Sequence, residues 1–242
     1  MRKSNKILLG LLLTTILVFT SLFAAVRIKF ANGNIITSKE GLNNTWSSAH
    51  QIKEPFKSVR IEGMGNVLII PADSASMEIW KDGPGAQWTV KDGVLNIINP
   101  ELTRKENGQP VTRSWTHVVL FLPKMDSIAA IYSEVALRNS TDSGKLSPSF
   151  NLYLNYSELA VENGSPEDQP VFYDKLKVNV WNNSALRIRR GVHVNELDAR
   201  FVGSRLEEDN VEFGKLSIQT DSSSDISIKG KNLRKATITS TE

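Results

Sequence analysis

From about Ser127 to Ile228 one hydrophobic pattern returns: a short alternating apolar run, a small polar corner, then a second alternating run. The copies begin with Ile128-Ala-Ala-Ile131, Ser133 and Val135-Ala-Leu137, then Leu152-Tyr-Leu154, Ser157 and Leu159-Ala-Val161. Leu176-Lys-Val-Asn-Val180, Ser184 and Leu186-Arg-Ile188 follow, then Leu197-Asp-Ala-Arg-Phe201, Ser204 and Leu206. The last is Leu216-Ser-Ile218, Ser223 and Ile226-Ser-Ile228. The corner serines lie roughly 20 to 27 residues apart, the scale of stacked-repeat architectures. Side chains alternate across a strand, so Leu152 and Leu154 share one face and Tyr153 takes the other. A single unit of two such strands cannot bury its apolar face, whereas stacked copies bury a continuous core. Asn and Ser side chains at the corners can bond the backbone locally where it bends. The pattern predicts a parallel β-solenoid, with like strands of successive windings paired in parallel. An antiparallel sandwich or barrel is the competing all-β reading, because strands at 8 to 12-residue spacing suit it too.

Strand signals start earlier. Lys57 to Glu62 alternates, Gly63-Met-Gly65 is a turn, and Asn66 to Ile70 is closed by Pro71. Ser76 to Trp80 is a further run, followed by the loop signal Asp82-Gly-Pro-Gly85. Gln87 to Val90 and Val94 to Ile98 flank Lys91-Asp-Gly93, a strong hairpin signal. Glu101 to Thr112 reads as an exposed loop, and Thr116 to Leu122 as an apolar strand stopped by Pro123. No segment after Val26 has helical periodicity. Ala236-Thr-Ile-Thr239 reads as a final strand with no cap after it. Such a winding exposes strand edges, which predicts cover by a loop or by a partner, self-association included.

Ile7 to Val26 is about 20 uncharged residues, the length that spans a hydrocarbon core. A removed secretory signal is the alternative, but its apolar region is shorter and ends in small residues two apart. Here Leu22 and Phe23 precede Ala24 and Ala25 at that spacing. The expected organisation is a cytoplasmic stub at 1–6, an anchor at 7–26, a polar tether at 27–54 and a solenoid domain at 55–242. Arg2, Lys3 and Lys6 outweigh Arg27 and Lys29, which keeps the N-terminus inside and exports the rest. Anchored in the inner membrane, the domain would lie in the periplasm or outside the cell, or be secreted if the segment is cleaved. Formal charge is +3, yet removing those five cations leaves 24 basic against 26 acidic residues. The basic balance belongs to the membrane flank, and a nucleic-acid partner is not supported. Without cysteine there is no disulfide, thiolate metal site, thiol nucleophile or lipidated cysteine.

Phe56 to Ile70 (FKSVRIEGMGNVLII), Val90 to Ile97, Val118-Val-Leu-Phe-Leu-Pro123 with Ile128, and the serine corners together resemble the head GIN-domain family. These exported bacterial proteins, common in Bacteroidetes, are also called auto-transporter adhesins. The resemblance runs from about Phe56 to the C-terminus. It implies a right-handed parallel β-helix on the cell envelope and brings no catalytic residues. Corners such as Tyr156-Ser-Glu158 and Asn183-Ser-Ala185 depart from the expected Gly-Ser pair, and Pro71-Ala-Asp73 from a Gly-Asp turn.

Chemistry is sparse. His50, His117 and His193 have no zinc-ligand spacing, so no metal or cofactor is expected, and no nucleophile or phosphate-loop motif occurs. Outward aromatics are the better candidates for binding: Trp181, Tyr153 and Tyr156 lie at the repeat corners, with Tyr132. Arg187 and Arg189, on one face by alternation, could meet an anionic group. Trp46, Trp80, Trp88 and Trp115 complete the tryptophans. The expected function is a non-catalytic binding, adhesion or scaffold module facing an envelope glycan or protein. The competing one is a carbohydrate-cleaving enzyme using Glu207, Glu208, Asp209, Asp221 and Asp225, since paired carboxylates supply acid and base.

Overall fold

The computed structural model describes residues 47–80, 85–100, 116–123, 125–139, 148–165 and 169–240. The span at 7–26, most of the tether and the loop at 101–112 lie outside them. Among the described residues no helix is long and apolar enough to cross a membrane.

The fold is all-β, in two nine-stranded sheets. Numbered along the chain, the first sheet runs β1 (Ser47–Gln51), β4 (Ser76–Trp80), β7 (Val118–Leu122), β3 (Val67–Pro71), β9 (Glu134–Asn139), β11 (Glu158–Asn163), β13 (Ala185–Ile188), β15 (Arg205–Glu208), β17 (Asp225–Ser227). The second runs β18 (Ala236–Ser240), β16 (Glu212–Thr220), β14 (Val192–Val202), β12 (Val171–Trp181), β10 (Ser149–Asn155), β8 (Ser127–Ile131), β2 (Ser58–Glu62), β6 (Val94–Ile98), β5 (Gln87–Lys91). A one-turn helix, α1 (Gly230–Leu233), precedes β18.

From β8 onward the chain alternates between the sheets, and each strand pairs in parallel with the strand two places later. The register aligns like positions, so Ile128, Leu152, Val178, Ala199 and Ile218 form one buried file. Val135, Leu159, Leu186 and Leu206 form another across the facing sheet. Each fully buried aliphatic contributes about 1.5–3 kcal/mol of transfer free energy, so these files carry the fold. The parallel pairing expected from the repeat is present.

The first windings differ from a simple sequential stack. β2 lies between β6 and β8, and β3 between β7 and β9. The segment holding β6 and β7 is therefore laid on one side of β2 and β3, and later windings grow from the other side. Antiparallel pairs accompany this detour: β1 with β4, β4 with β7, and β5 with β6. The β5–β6 hairpin turns on Asp92 and Gly93, both at positive φ (52° and 75°), as a type I′ turn requires. β1 falls inside the polar stretch expected as tether, because its alternation SSAHQ carries too few apolar residues to announce a strand.

The bends that follow β2, β8, β10 and β14 are held by serines. Ser133, Ser157, Ser184 and Ser204 are all buried. The Met64 N–H donates to Ser133 Oγ (3.1 Å), Ser133 N–H to Ser157 Oγ (3.0 Å), and Ser157 N–H to Ser184 Oγ (3.0 Å). Ser204 N–H donates to Ser224 Oγ at 3.2 Å. The hydroxyls of Ser133, Ser157 and Ser204 in turn donate to a carbonyl two residues back, and that of Ser184 to the Trp181 carbonyl. In the last bend Ser224 takes this position rather than Ser223, whose exposed hydroxyl bonds Asp221 instead. Buried amides left without an acceptor cost about 1–3 kcal/mol each. Ser157→Ala should therefore destabilise by about 2 kcal/mol in denaturant titration, and Ser223→Ala by less than about 0.5 kcal/mol.

Candidate functional site

Alternation sends Ile128, Ala130, Leu152, Leu154, Val178 and Val180 inward. It leaves Ala129, Ile131, Tyr153, Asn155, Asn179 and Trp181 on the outer face of β8, β10 and β12. In register, Tyr153 sits between Ala129 and Asn179, and Asn155 between Ile131 and Trp181. The Tyr153 and Trp181 rings stack, with centroids 6.3 Å apart and planes 17° from parallel. Beside them is an open groove of about 370 Å³ lined by Ala129, Ile131, Tyr153, Asn155, Trp181 and Asn182. None of these is charged. Asn182 Nδ2 donates to Asn155 Oδ1 at 2.8 Å, fixing the rim. Tyr153 is 40% exposed, so a large aromatic surface faces solvent at this groove.

The adjoining bends contribute a second aromatic pair. Tyr132 and Tyr156 both have φ of 50°, a left-handed conformation that costs a bulky residue about 1–3 kcal/mol. Their rings stack at 5.0 Å and 13°, which returns about 0.5–1.5 kcal/mol. Gly203 takes the same position without strain, at φ 56°. Two effects thus oppose one another at Tyr156, and the backbone term separates them. Tyr156→Ala, which loses the stack and keeps the strain, should melt below Tyr156→Gly in thermal unfolding.

The five predicted binding residues fall on two surfaces. Trp181 and Tyr153 meet in the groove, and Tyr156 follows Asn155 out of it into the bend. Arg187 is on β13 in the other sheet, where it faces outward as expected. It is occupied: Nη1 contacts Glu158 Oε2 at 2.5 Å and Nε contacts Glu207 Oε2 at 3.0 Å. Arg189 is exposed just beyond the strand, beside a groove of about 460 Å³ that also holds Arg190, Glu162 and Asp209. Charges of both signs meet there. Sequence reasoning had no signal for the groove floor: Ala129 and Ile131 matter only because the register sets them beside Tyr153.

Four of the five acids that could have formed a hydrolytic site make structural bonds, and the fifth, Asp225, is exposed at the start of β17. Glu207 pairs with Arg187, and Asp209 with Lys229 at 3.1 Å; that hydrogen bond holds the Asp209 carboxyl below its ordinary value. Glu208 faces inward at the end of the file Leu137, Val161, Ile188. There it accepts from the Lys229 N–H (2.6 Å), Asn232 Nδ2 (3.1 Å) and Val211 N–H (3.2 Å), tying α1 to the last windings. Asp221 accepts from the Ser224 and Ser223 hydroxyls and the Gly203 N–H, and these bonds hold its pKa down to about 2. The histidines are dispersed: His50 lies against Trp88, His117 against Trp80, and His193 against Phe172. Trp46 and Trp115 lie outside the described residues.

Neither a protein-family model nor a curated protein matches the chain. Solved structures similar to it include a putative lipid binding protein from Parabacteroides distasonis, 11% identical, covering 76% of this chain and 82% of that one, with a TM-score of 0.43. A putative adhesin from Parabacteroides merdae is 14% identical over 82% of this chain and 98% of its own, with a TM-score of 0.31. A putative cell adhesion protein from Clostridium sporogenes is 11% identical over 74% and 97%, at 0.27. Identities and scores this low neither assign the chain to a family nor transfer what those proteins bind.

The Asp221 cradle has a pH signature. Its carboxyl is depressed from 3.8 to about 2, so its contribution is present above about pH 3.8 and lost as pH falls through 2. Asp221→Asn should melt below the parent at pH 7, and the gap should close between pH 4 and 2. A gap independent of pH would show that the ionised form has no special role.

Proposed function

We propose that this protein is a membrane-tethered, exported β-solenoid that acts as a non-catalytic binding module at the cell envelope, and that the Tyr153–Trp181 groove meets its ligand. The in-register parallel files of residues 127–240 support a right-handed parallel β-helix of the head GIN kind. Ile7 to Val26 supplies the anchor, and the polar flanks direct the domain to the periplasm or beyond. The engagement of Glu207, Glu208, Asp209 and Asp221 in structural bonds favours binding over glycoside cleavage.

The observation that carries the reading is an uncharged aromatic groove mounted on a hydrogen-bonded ladder. Ligand sites combine apolar and aromatic surface with a few placed polar groups, and they work best on rigid elements. An envelope glycan is the ligand class that this surface suits. A pyranose presents weakly positive C–H groups on its faces, which pack on the negative face of an aromatic ring, while its hydroxyls seek amides. Screening the full-length, detergent-solubilised chain against an array of envelope polysaccharides tests this. Retention on at least one glycan is expected, with a loss of about tenfold or more for Tyr153→Ala combined with Trp181→Ala. Empty arrays, or retention indifferent to both substitutions, would count against it and move the role to a protein-facing scaffold.

A further inference from the structure

Trp181 is on β12 and Tyr153 on β10, so their stack covers the face of the tyrosine ring that looks toward β12. The opposite face looks toward β8, where the residue in register is Ala129. Beyond Ala129 the next residue in the same row is Arg60 of β2, whose guanidinium is held by Glu62 at 2.8 Å. Neighbouring strands lie about 4.8 Å apart, so two spacings separate the Tyr153 and Arg60 backbones by about 9.6 Å. An alanine between two long side chains leaves a gap one ring thick, since a stacked ring needs about 3.5–4 Å on either side.

We infer that this gap is a specificity slot that takes one pyranose ring of a neutral glycan face-on against Tyr153, above Ala129. The inference rests on the groove being the ligand site and adds which residue shapes it and which sugars it admits. The groove lining carries no charge and the Arg60 guanidinium beyond Ala129 is already paired with Glu62, which disfavours a uronate or phosphorylated sugar whose anion would find no uncommitted cation there. The rim offers what a pair of neighbouring hydroxyls needs. Asn182 spends an N–H on Asn155 Oδ1, leaving the Asn155 amide as a donor and Asn182 Oδ1 as an acceptor, neither with a protein partner among the described residues. Stacking fixes the plane of the sugar and the two amides fix its rotation. Because the rings of Tyr153 and Trp181 stack from one strand to the next, the sugar ring enters parallel to them, between windings.

The test uses the full-length chain and five hexasaccharide probes: cello-, malto-, manno- and chitohexaose as neutral probes and hexagalacturonate as the acidic one. Affinity is read by titration calorimetry. At least one neutral hexaose should bind, and Ala129→Phe, which fills the slot and leaves both aromatic residues in place, should weaken it about tenfold or more. Circular dichroism and melting of this variant should match the parent, because position 129 points outward. Arg189→Ala should bind as the parent does, and raising salt from about 50 to 500 mM should change affinity less than about twofold. Binding lost in the Tyr153→Ala, Trp181→Ala variant but unchanged in Ala129→Phe would overturn the slot and leave the groove standing. Preference for hexagalacturonate, weakened by salt, would overturn the neutral assignment alone. Failure of every hexaose and of the polysaccharide array would remove both the slot and the binding role.

Discussion

At the bends that follow β2, β8 and β10 a backbone amide turns into the interior, off the strand ladders. The hydroxyl of a serine one winding away accepts that hydrogen bond, and its own proton returns to a carbonyl beside it. Parallel stacking makes this possible, because it brings the same position of each winding to the same place. The relay in turn fixes the stagger of one winding on the next. A slip of one residue would expose the aliphatic files to water and strand a polar hydrogen inside. Files, outer rows and groove all inherit their alignment from it.

The repeating part of this arrangement could be read from the chain because alternation and corner spacing are local. Leu152, Leu154 and their equivalents announce a face, and serines at regular intervals announce the bends. What lies before Ser127 was less legible. Nothing local says that β6 and β7 will settle on the far side of β2 and β3, since that choice depends on which edges are open when they arrive. Glu208 illustrates a second limit. Its neighbours Glu207 and Asp209 suggest a charged surface run, yet alternation turns it inward to serve the nearby Val211 amide and two more that come from 21 and 24 residues later.

The candidate site was legible in half. Aromatic residues at outward positions near the corners can be picked out by period alone, and Tyr153 and Trp181 do meet. Arg187 and Arg189 share that logic but lie past the bend, on and just beyond β13 of the first sheet, where Arg187 is bound by two carboxylates. The candidate surface is made of residues from several strands, so its floor is set by register rather than by sequence neighbourhood. Ala129 carries no chemical signal of its own, and its smallness gains meaning only beside Tyr153. The strained tyrosines at the bends belong to the same account: where glycine would relax the turn, the chain keeps rings that lean on each other.

The placement of β2 and β3 inside the sheets also bears on assembly. Both of their flanking partners come from later in the chain, β6 and β7 on one side, β8 and β9 on the other. A polypeptide delivered from its N-terminus would hold this interior pair with both borders open until β6 and β7 arrived, and with one still open until some seventy residues had followed (the offset between Met64 and Ser133 is 69). Closing so long a loop precedes any reward from it, which is a slow step by the usual relation between contact order and rate. Once β8 is seated, each new winding needs only to reach back about twenty to twenty-seven residues, so growth beyond that point becomes a succession of short closures.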